Sequence, residues 1–163
     1  METYLDTCLV SGLTKADLRP SQQEALFQLL QAHKSRRIAL VTSHITREEL
    51  LKVPAEGRAQ HEVIYALLED VPPAREFRET TYGEGTYGSG TYGGRGEDPV
   101  LSRLKTILPD ALDARHVFQA LKNGVDYFTT DDTRTIVSRR SEIEARYSIK
   151  VRLPSELVDE LGL

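Results

Sequence analysis

The chain has 163 residues, of which 39% are hydrophobic and 28% are charged, and its formal net charge is −4. These values are typical of one globular domain with its own hydrophobic core, and the weak negative charge gives no indication of nucleic-acid binding. Cys8 is the only cysteine, which excludes a disulfide framework and a cysteine-based zinc site within the chain. We expect a cytoplasmic protein, because no apolar run approaches the ~20 residues of a membrane span and the first residues are not those of a signal peptide.

The first predicted strand covers residues 3–5 and ends at Asp6. A carboxylate at this point is costly to bury unless it meets a cation or several hydrogen-bond donors. A role in a turn or a cap is an equal alternative for Asp6 at this stage.

A loop or broken helix is predicted for residues 12–20, and an amphipathic helix follows it. Ser21 with Glu24 three residues later has the pattern of a capping box, which predicts that the helix begins there. Residues 38–41 form a continuous apolar run, which indicates a strand covered on both faces.

Acidic residues also follow this second strand closely. Thr46 is a plausible N-cap for the next helix, which contains Glu48 and Glu49. The two glutamates point about 100° apart on a helix, so one of them can face the end of the sheet. A further helix is predicted for residues 57–71.

Residues 80–96 contain a five-residue Thr-Tyr-Gly repeat in three copies and seven of the eleven glycines. So much glycine raises the entropic cost of ordering, so we expect a flexible insertion that is dispensable for folding of the single domain. Evenly spaced tyrosines beside arginine can stack on single-stranded bases. The candidate RNA contacts are Tyr82, Tyr87, Tyr92 and Arg95.

Two helices are predicted after the repeat. The first begins at residues 98–100, and the second begins at Asp110, in the position of an N-cap. Lys122 followed by Asn-Gly predicts the end of the second helix. Asp113 lies one turn beyond the cap, where capping does not account for a carboxylate.

The β-prone residues 125–130 predict a buried strand that ends in Asp131 and Asp132. Adjacent residues at a strand end point to opposite sides, so we expect only one of these carboxylates to face a site. The remaining patterns predict a helix over residues 133–147, an edge strand over residues 149–153 and a terminal helix through Leu161.

This alternation predicts a three-layer α/β/α sandwich around a central, mostly parallel sheet of four or five strands. Sites in such sheets form beyond the carboxyl ends of the strands, where these acids are expected to meet. Several carboxylates at one edge repel one another unless a divalent cation neutralises them. Hard oxygen ligands without paired histidines favour Mg²⁺ or Mn²⁺.

Four short segments occur in a definite order: Asp6 after the first strand, residues 43–50 (Ser-His-Ile-Thr-Arg-Glu-Glu-Leu), residues 113–116 (Asp-Ala-Arg-His) and residues 130–132 (Thr-Asp-Asp). Together they resemble the motifs of PIN-domain nucleases, particularly the small VapC-like toxins. The resemblance covers nearly the whole chain except the repeat. It implies a metal-dependent endoribonuclease that acts on RNA, is often a homodimer and is often paired with an antitoxin protein.

The resemblance also implies a role for each matching residue. The catalytic acids would be Asp6, Glu49, Asp113 and Asp132. Asp6, Asp113 and Asp132 would hold the metal ion, and Ser43 and Thr130 would orient the carboxylates or a phosphate by hydrogen bonds. Asp131 is the alternative metal ligand to Asp132. The pattern Asp-Tyr-Phe-x-Thr-x-Asp favours Asp132, and it leaves Asp131 to cap the next helix.

Two other classes of protein remain as alternatives. A non-catalytic PIN-like module would bind RNA or a partner protein without cutting RNA. A phosphotransfer receiver-type domain would require a pair of acids directly after the first strand and a lysine after a late strand. In this chain a single acid, Asp6, follows the first strand, and acids rather than a lysine follow the late strand.

Overall fold

The computed structural model describes residues 1–79 and 95–163. The strands are β1 (Glu2–Leu5), β2 (Ala39–Thr42), β3 (Glu69–Asp70), β4 (Phe77–Glu79), β5 (Arg95–Glu97), β6 (Tyr127–Thr129) and β7 (Lys150–Arg152). The helices are α1 (Thr7–Lys15), α2 (Pro20–Lys34), α3 (His44–Leu50), α4 (Ala55–Tyr65), α5 (Pro99–Ile107), α6 (Ala111–Lys122), α7 (Arg140–Glu144) and α8 (Pro154–Leu161), with a 3₁₀ turn at Val137–Arg139.

The central sheet has five parallel strands in the order β3-β2-β1-β6-β7, so β1 lies in its middle. Tyr4 is level with Val41 of β2 on one side and with Phe128 of β6 on the other. Parallel neighbours need long crossovers, which the helices supply. Strands β4 and β5 form a separate antiparallel pair.

Two hydrophobic cores cover the two faces of this sheet. Alternate residues of β1 point to opposite faces, so Tyr4 enters one core and Leu5 enters the other. The first core contains residues of α5 and α6, and the second contains residues of α2 and α8. The ring of Tyr4 stacks on Phe128 with 5.2 Å between ring centroids. The predicted three-layer α/β/α sandwich is therefore confirmed.

The second half of the chain follows its sequence signals closely. Asp98 and Asp110 cap α5 and α6, since their carboxylates accept the backbone N–H groups of Val100 and Leu112 at 2.8 and 2.7 Å. Helix α6 ends at Lys122, as predicted, and Gly124 adopts a positive φ of 70° just beyond it. The edge strand β7 and the terminal helix α8 are also confirmed.

The first half corrects three predictions. Helix α1 begins at Thr7, where no helix was predicted, and it continues into the loop or broken helix predicted for residues 12–20. Helix α2 begins at Pro20 rather than in a capping box at Ser21, because proline suits the first helical position, where no N–H is needed. Helix α3 is capped by Ser43 rather than Thr46, and the Ser43 hydroxyl accepts the Ile45 N–H at 3.3 Å.

Two long predicted helices are shorter in the structure. The helix predicted over residues 57–71 ends at Tyr65, and the chain then forms the two-residue edge strand β3. Only the 3₁₀ turn and α7 lie within the helix predicted over residues 133–147. None of the described helices is long and apolar enough to cross a membrane.

The predicted flexible insertion at residues 80–96 lies largely outside the described residues, and so do the candidate RNA contacts Tyr82, Tyr87 and Tyr92. For Arg95 only the backbone, in β5, falls within the described part, so its predicted RNA contact also lies outside it.

Gly12 allows the chain after α1 to fold back against this helix. A Cβ atom at position 12 would lie 2.5 Å from Cγ of Leu18, which is far below van der Waals contact. We expect Gly12→Ala to lower the free energy of unfolding by about 1–3 kcal/mol through overpacking, measured by urea denaturation.

A double-mutant cycle with Leu18→Ala is the control. Removing the Leu18 side chain opens the space that the new methyl needs, so Gly12→Ala should cost nothing in that background or gain helix propensity. An equal cost in both backgrounds would contradict the close approach of Leu18.

Candidate acidic active site

Asp6 and Thr130 connect the ends of two central strands. Asp6 follows β1 and is only 5% exposed. Its Oδ2 accepts hydrogen bonds from Thr130 Oγ1 at 2.7 Å and from Cys8 Sγ at 3.2 Å. The same Thr130 hydroxyl accepts the backbone N–H of Asp132 at 3.0 Å. Thr130 therefore fixes the Asp6 carboxylate relative to the loop after β6.

Thr135 connects the other two carboxylates of this edge. Its Oγ1 lies 2.7 Å from Oδ2 of Asp113 and 2.5 Å from Oδ2 of Asp132. A hydroxyl carries one hydrogen and cannot donate to both carboxylates at once. In the other contact two oxygen atoms face each other without a hydrogen between them. Only a proton on a carboxyl group or a cation removes the repulsion between them.

The pKa values of the two aspartates are displaced in opposite directions. Burial, together with the negative charges of Asp6, Asp110 and Asp132, raises the pKa of Asp113 to about 6, against the hydrogen bond from Thr135. Burial also acts to raise the pKa of Asp132, but hydrogen bonds from Thr135 and the Arg134 N–H, with the Arg134 charge, hold it below its usual range. Asp113 is therefore the carboxyl group that takes up a proton first.

The three carboxylates of Asp6, Asp113 and Asp132 are called the acidic cluster below. Within residues 1–79 and 95–163, none of the three forms an ion pair. No three His, Cys, Asp or Glu side chains of that part converge on a position for a metal ion. The oxygen donors and the uncompensated negative charge of the cluster suit a hard divalent cation. Its side chains do not converge on a single metal position.

Glu49 lies in a separate buried network with His116. Its Oε2 is 2.8 Å from His116 Nε2 and 2.5 Å from Thr7 Oγ1. His116 Nδ1 is 2.8 Å from the hydroxyl of Tyr4, which lies 2.6 Å from Ser43 Oγ. His116 and Tyr4 are almost completely buried. The network ties the centre of the sheet to α3 and α6.

Electrostatics favour an ion pair between Glu49 and His116. Burial disfavours the charged form of His116, but the hydrogen bond to Glu49 and the charges of Asp6, Glu49 and Asp113 raise its pKa. Burial acts to raise the pKa of Glu49, and the hydrogen bonds from His116 and Thr7 outweigh it and lower that pKa. Glu49 therefore stays ionised at neutral pH.

The structure thus separates the predicted residues into groups. Asp6, Asp113, Asp132 and Thr130 are linked by hydrogen bonds, whereas Glu49 is turned toward His116. Ser43 contacts Tyr4 instead of the predicted carboxylates.

Asp131 pairs with Arg19 at 2.8 Å. The helix cap predicted for Asp131 was wrong. Asp132 Oδ1 accepts the backbone N–H groups of Arg134 and Thr135, each at 2.9 Å.

His116 and Thr135 are central to the site, and neither had a predicted role. His116 follows Asp113 by three residues, so both lie on one face of α6, and this spacing was the available signal. Thr135 follows Asp132 by three residues, a separation at which a hydroxyl can reach back to a carboxylate in a turn. Neither spacing identifies the long-range partner.

These features define an α/β protein with an acidic site at the carboxyl edge of a parallel sheet. Comparisons with protein-family models and with curated protein sequences find no match to the chain.

Asp113→Asn should stabilise the protein in metal-free buffer at neutral pH. The pKa of Asp113 is about 6 in the folded protein and ~3.9 in an unfolded chain. The Asp113 carboxyl therefore binds more protons in the folded state between about pH 4 and 6, and its contribution to stability falls as the pH rises through that window. After solvent screening, we expect a gain on the order of 1 kcal/mol for Asp113→Asn at pH 7.5 and none below about pH 4.

Urea denaturation with a chelator measures the effect. Asp159→Asn, at an exposed position of α8, is the matched control and should stay within about 0.5 kcal/mol of wild type at both pH values. A loss of stability for Asp113→Asn at neutral pH would contradict the unfavourable charge of this carboxylate.

Proposed function

We propose that the chain is a PIN-like, metal-dependent endoribonuclease whose active site is the acidic cluster. The observation that carries the proposal is the arrangement of Asp6, Asp113 and Asp132, which are linked through the hydroxyls of Thr130 and Thr135. The cluster lies where sites form in parallel sheets, and no ion pair from the described part offsets its charge. The order of its segments resembles the PIN-domain motifs.

Asp6, Asp113 and Asp132 would hold Mg²⁺ or Mn²⁺ in this proposal. When bound, such an ion activates water and offsets the charge on a phosphoryl group. Thr130 and Thr135 fix the carboxylate oxygens, so little side-chain entropy remains to be lost on binding. Oδ2 of Asp113 lies 2.7 Å from Oγ1 of Thr135, and burial raises the pKa of this carboxyl group to about 6.

Glu49 would stay ionised beside the cluster, with its charge offset by His116 in their ion pair. His116 and Thr7 both bind its Oε2, so its direction is fixed by buried partners. Ser43 acts indirectly in this account, through Tyr4 and His116. RNA is the proposed substrate, the resemblance implies an antitoxin protein and a homodimer, and the proposed location is the cytoplasm.

The second candidate function is a non-catalytic PIN-like module that binds RNA or a partner protein. One observation favours it: within the described residues, no three potential ligand side chains converge on a metal position. Metal-dependent cleavage of a generic single-stranded RNA separates the two candidates.

Substitution of the two adjacent aspartates tests the assignment of the site. Asp132→Asn should lower the rate of RNA cleavage and the affinity for Mg²⁺ by ten-fold or more, because Asp132 shares Thr135 with Asp113. Asp131→Asn is the matched control. It removes only a surface ion pair with Arg19, worth about 0–1 kcal/mol, and should bind Mg²⁺ like wild type.

Cleavage of a labelled RNA and calorimetric titration with Mg²⁺ give the two readings, with circular dichroism to verify folding. Loss of Mg²⁺ binding only in Asp131→Asn would shift the site by one residue. A folded wild-type protein that binds RNA but does not cut it with Mg²⁺ or Mn²⁺ would contradict the nuclease and support the non-catalytic module.

A further inference from the structure

A groove lies directly beside the acidic cluster, between α1 and the loop that follows β6. Its volume is about 410 Å³, and its lining includes Lys15, Leu18, Asp132 and Arg134. This volume is within the usual range of pockets for small ligands, about 300–1,000 Å³. Because Asp132 belongs to both the groove and the cluster, a molecule bound at the cluster can continue into the groove.

Lys15 and Arg134 are two exposed cationic residues of the groove, and their charges are not offset by an ion pair within the described side chains. Among the described side chains, which leave out those of residues 55–57 and 78–95, neither Lys15 nor Arg134 forms a salt bridge, whereas Asp131 of the same groove is paired with Arg19. The backbone N–H of Arg134 is held by Asp132 Oδ1 at 2.9 Å. This hydrogen bond fixes the backbone of Arg134 next to the acidic cluster.

The backbone of α1 gives the groove a defined wall. Lys15 lies in the last turn of the helix, and Ala16 follows in the left-handed conformation with φ of 54°. This turn brings the chain back so that Leu18 packs on Gly12. Lys15 is therefore held at the rim of the groove by a close-packed turn.

We propose that this groove binds single-stranded RNA next to the cleaved bond, with Lys15 and Arg134 contacting backbone phosphates. The inference rests on the proposed function, because the acidic cluster is taken as the place of cleavage. A strand whose reacting phosphate lies at the cluster presents its neighbouring phosphates to these two cations. Asp17 and Asp131 at the same rim disfavour a phosphate elsewhere in the groove.

Binding of a fluorescently labelled, 2′-O-methylated single-stranded RNA tests the groove without cleavage. Anisotropy is measured with a chelator at several salt concentrations. Lys15→Gln and Arg134→Gln should each raise the Kd about 3- to 10-fold and lower the salt dependence of log Kd by about one phosphate contact.

Arg37→Gln is the matched control, because Arg37 is exposed and precedes β2 at the opposite edge of the sheet. It should bind the RNA like wild type. Equal binding by the wild type, both groove variants and the control would overturn the proposal.

Steady-state cleavage kinetics with Mg²⁺ separate this inference from the proposed function. We expect Lys15→Gln to raise KM and leave kcat nearly unchanged, since the lost contact is equal in ground and transition states. Arg134→Gln should also raise KM, but it removes a charge that acts on Asp132, so the comparison of kcat uses Lys15→Gln. If the wild type cleaves RNA and both variants keep the wild-type KM, RNA binding in the groove is contradicted and the nuclease proposal stands. Groove-dependent RNA binding without any cleavage overturns the nuclease and supports the binding site.

Discussion

The mutual repulsion of three carboxylates at one edge of a parallel sheet is the constraint to which the surrounding structure responds. Asp6 arrives from the central strand, Asp113 from α6 and Asp132 from the loop after β6. Hydroxyl groups lie between them, and the shared hydroxyl of Thr135 can satisfy only one carboxylate at a time. Burial, followed by the negative charges of Asp6, Asp110 and Asp132, raises the pKa of Asp113, and a proton or a divalent cation would relieve the repulsion among these carboxylates.

A second set of polar groups lies in the core next to this cluster. Tyr4, His116 and Glu49 form a continuous chain of hydrogen bonds from β1 to α3. Each member depends on the others, because a buried polar group without a partner costs about 1–3 kcal/mol. The network fixes α3 and α6 against the central strand, and it therefore also sets the position of Asp113, one turn from His116. Fold stability and site geometry are coupled through these residues.

The features predicted best from the sequence were helix caps and helix ends, which depend on residues close together in the chain. Asp110 caps α6 as expected, and Lys122-Asn-Gly ends this helix, because caps depend on neighbouring residues alone. Helix α1 was missed because no acidic residue in its first turn marks its start, and strand β3 was missed because two residues have no periodicity. The order of strands and acids was sufficient to predict that Asp6, Asp113 and Asp132 share one edge. The pairing of Glu49 with His116 required the packing of α3 on α6, which no local pattern contains.

The most direct test of a cation site at this edge is a titration of Asp113 followed by carboxyl ¹³C chemical shifts, with and without Mg²⁺. In metal-free buffer the pKa of Asp113 should be near 6. Saturation with Mg²⁺ should lower it by about 1–3 units, as an opposite charge within ~4–6 Å does. A pKa that remains near 6 in Mg²⁺, or that lies near 4 under both conditions, would contradict the account.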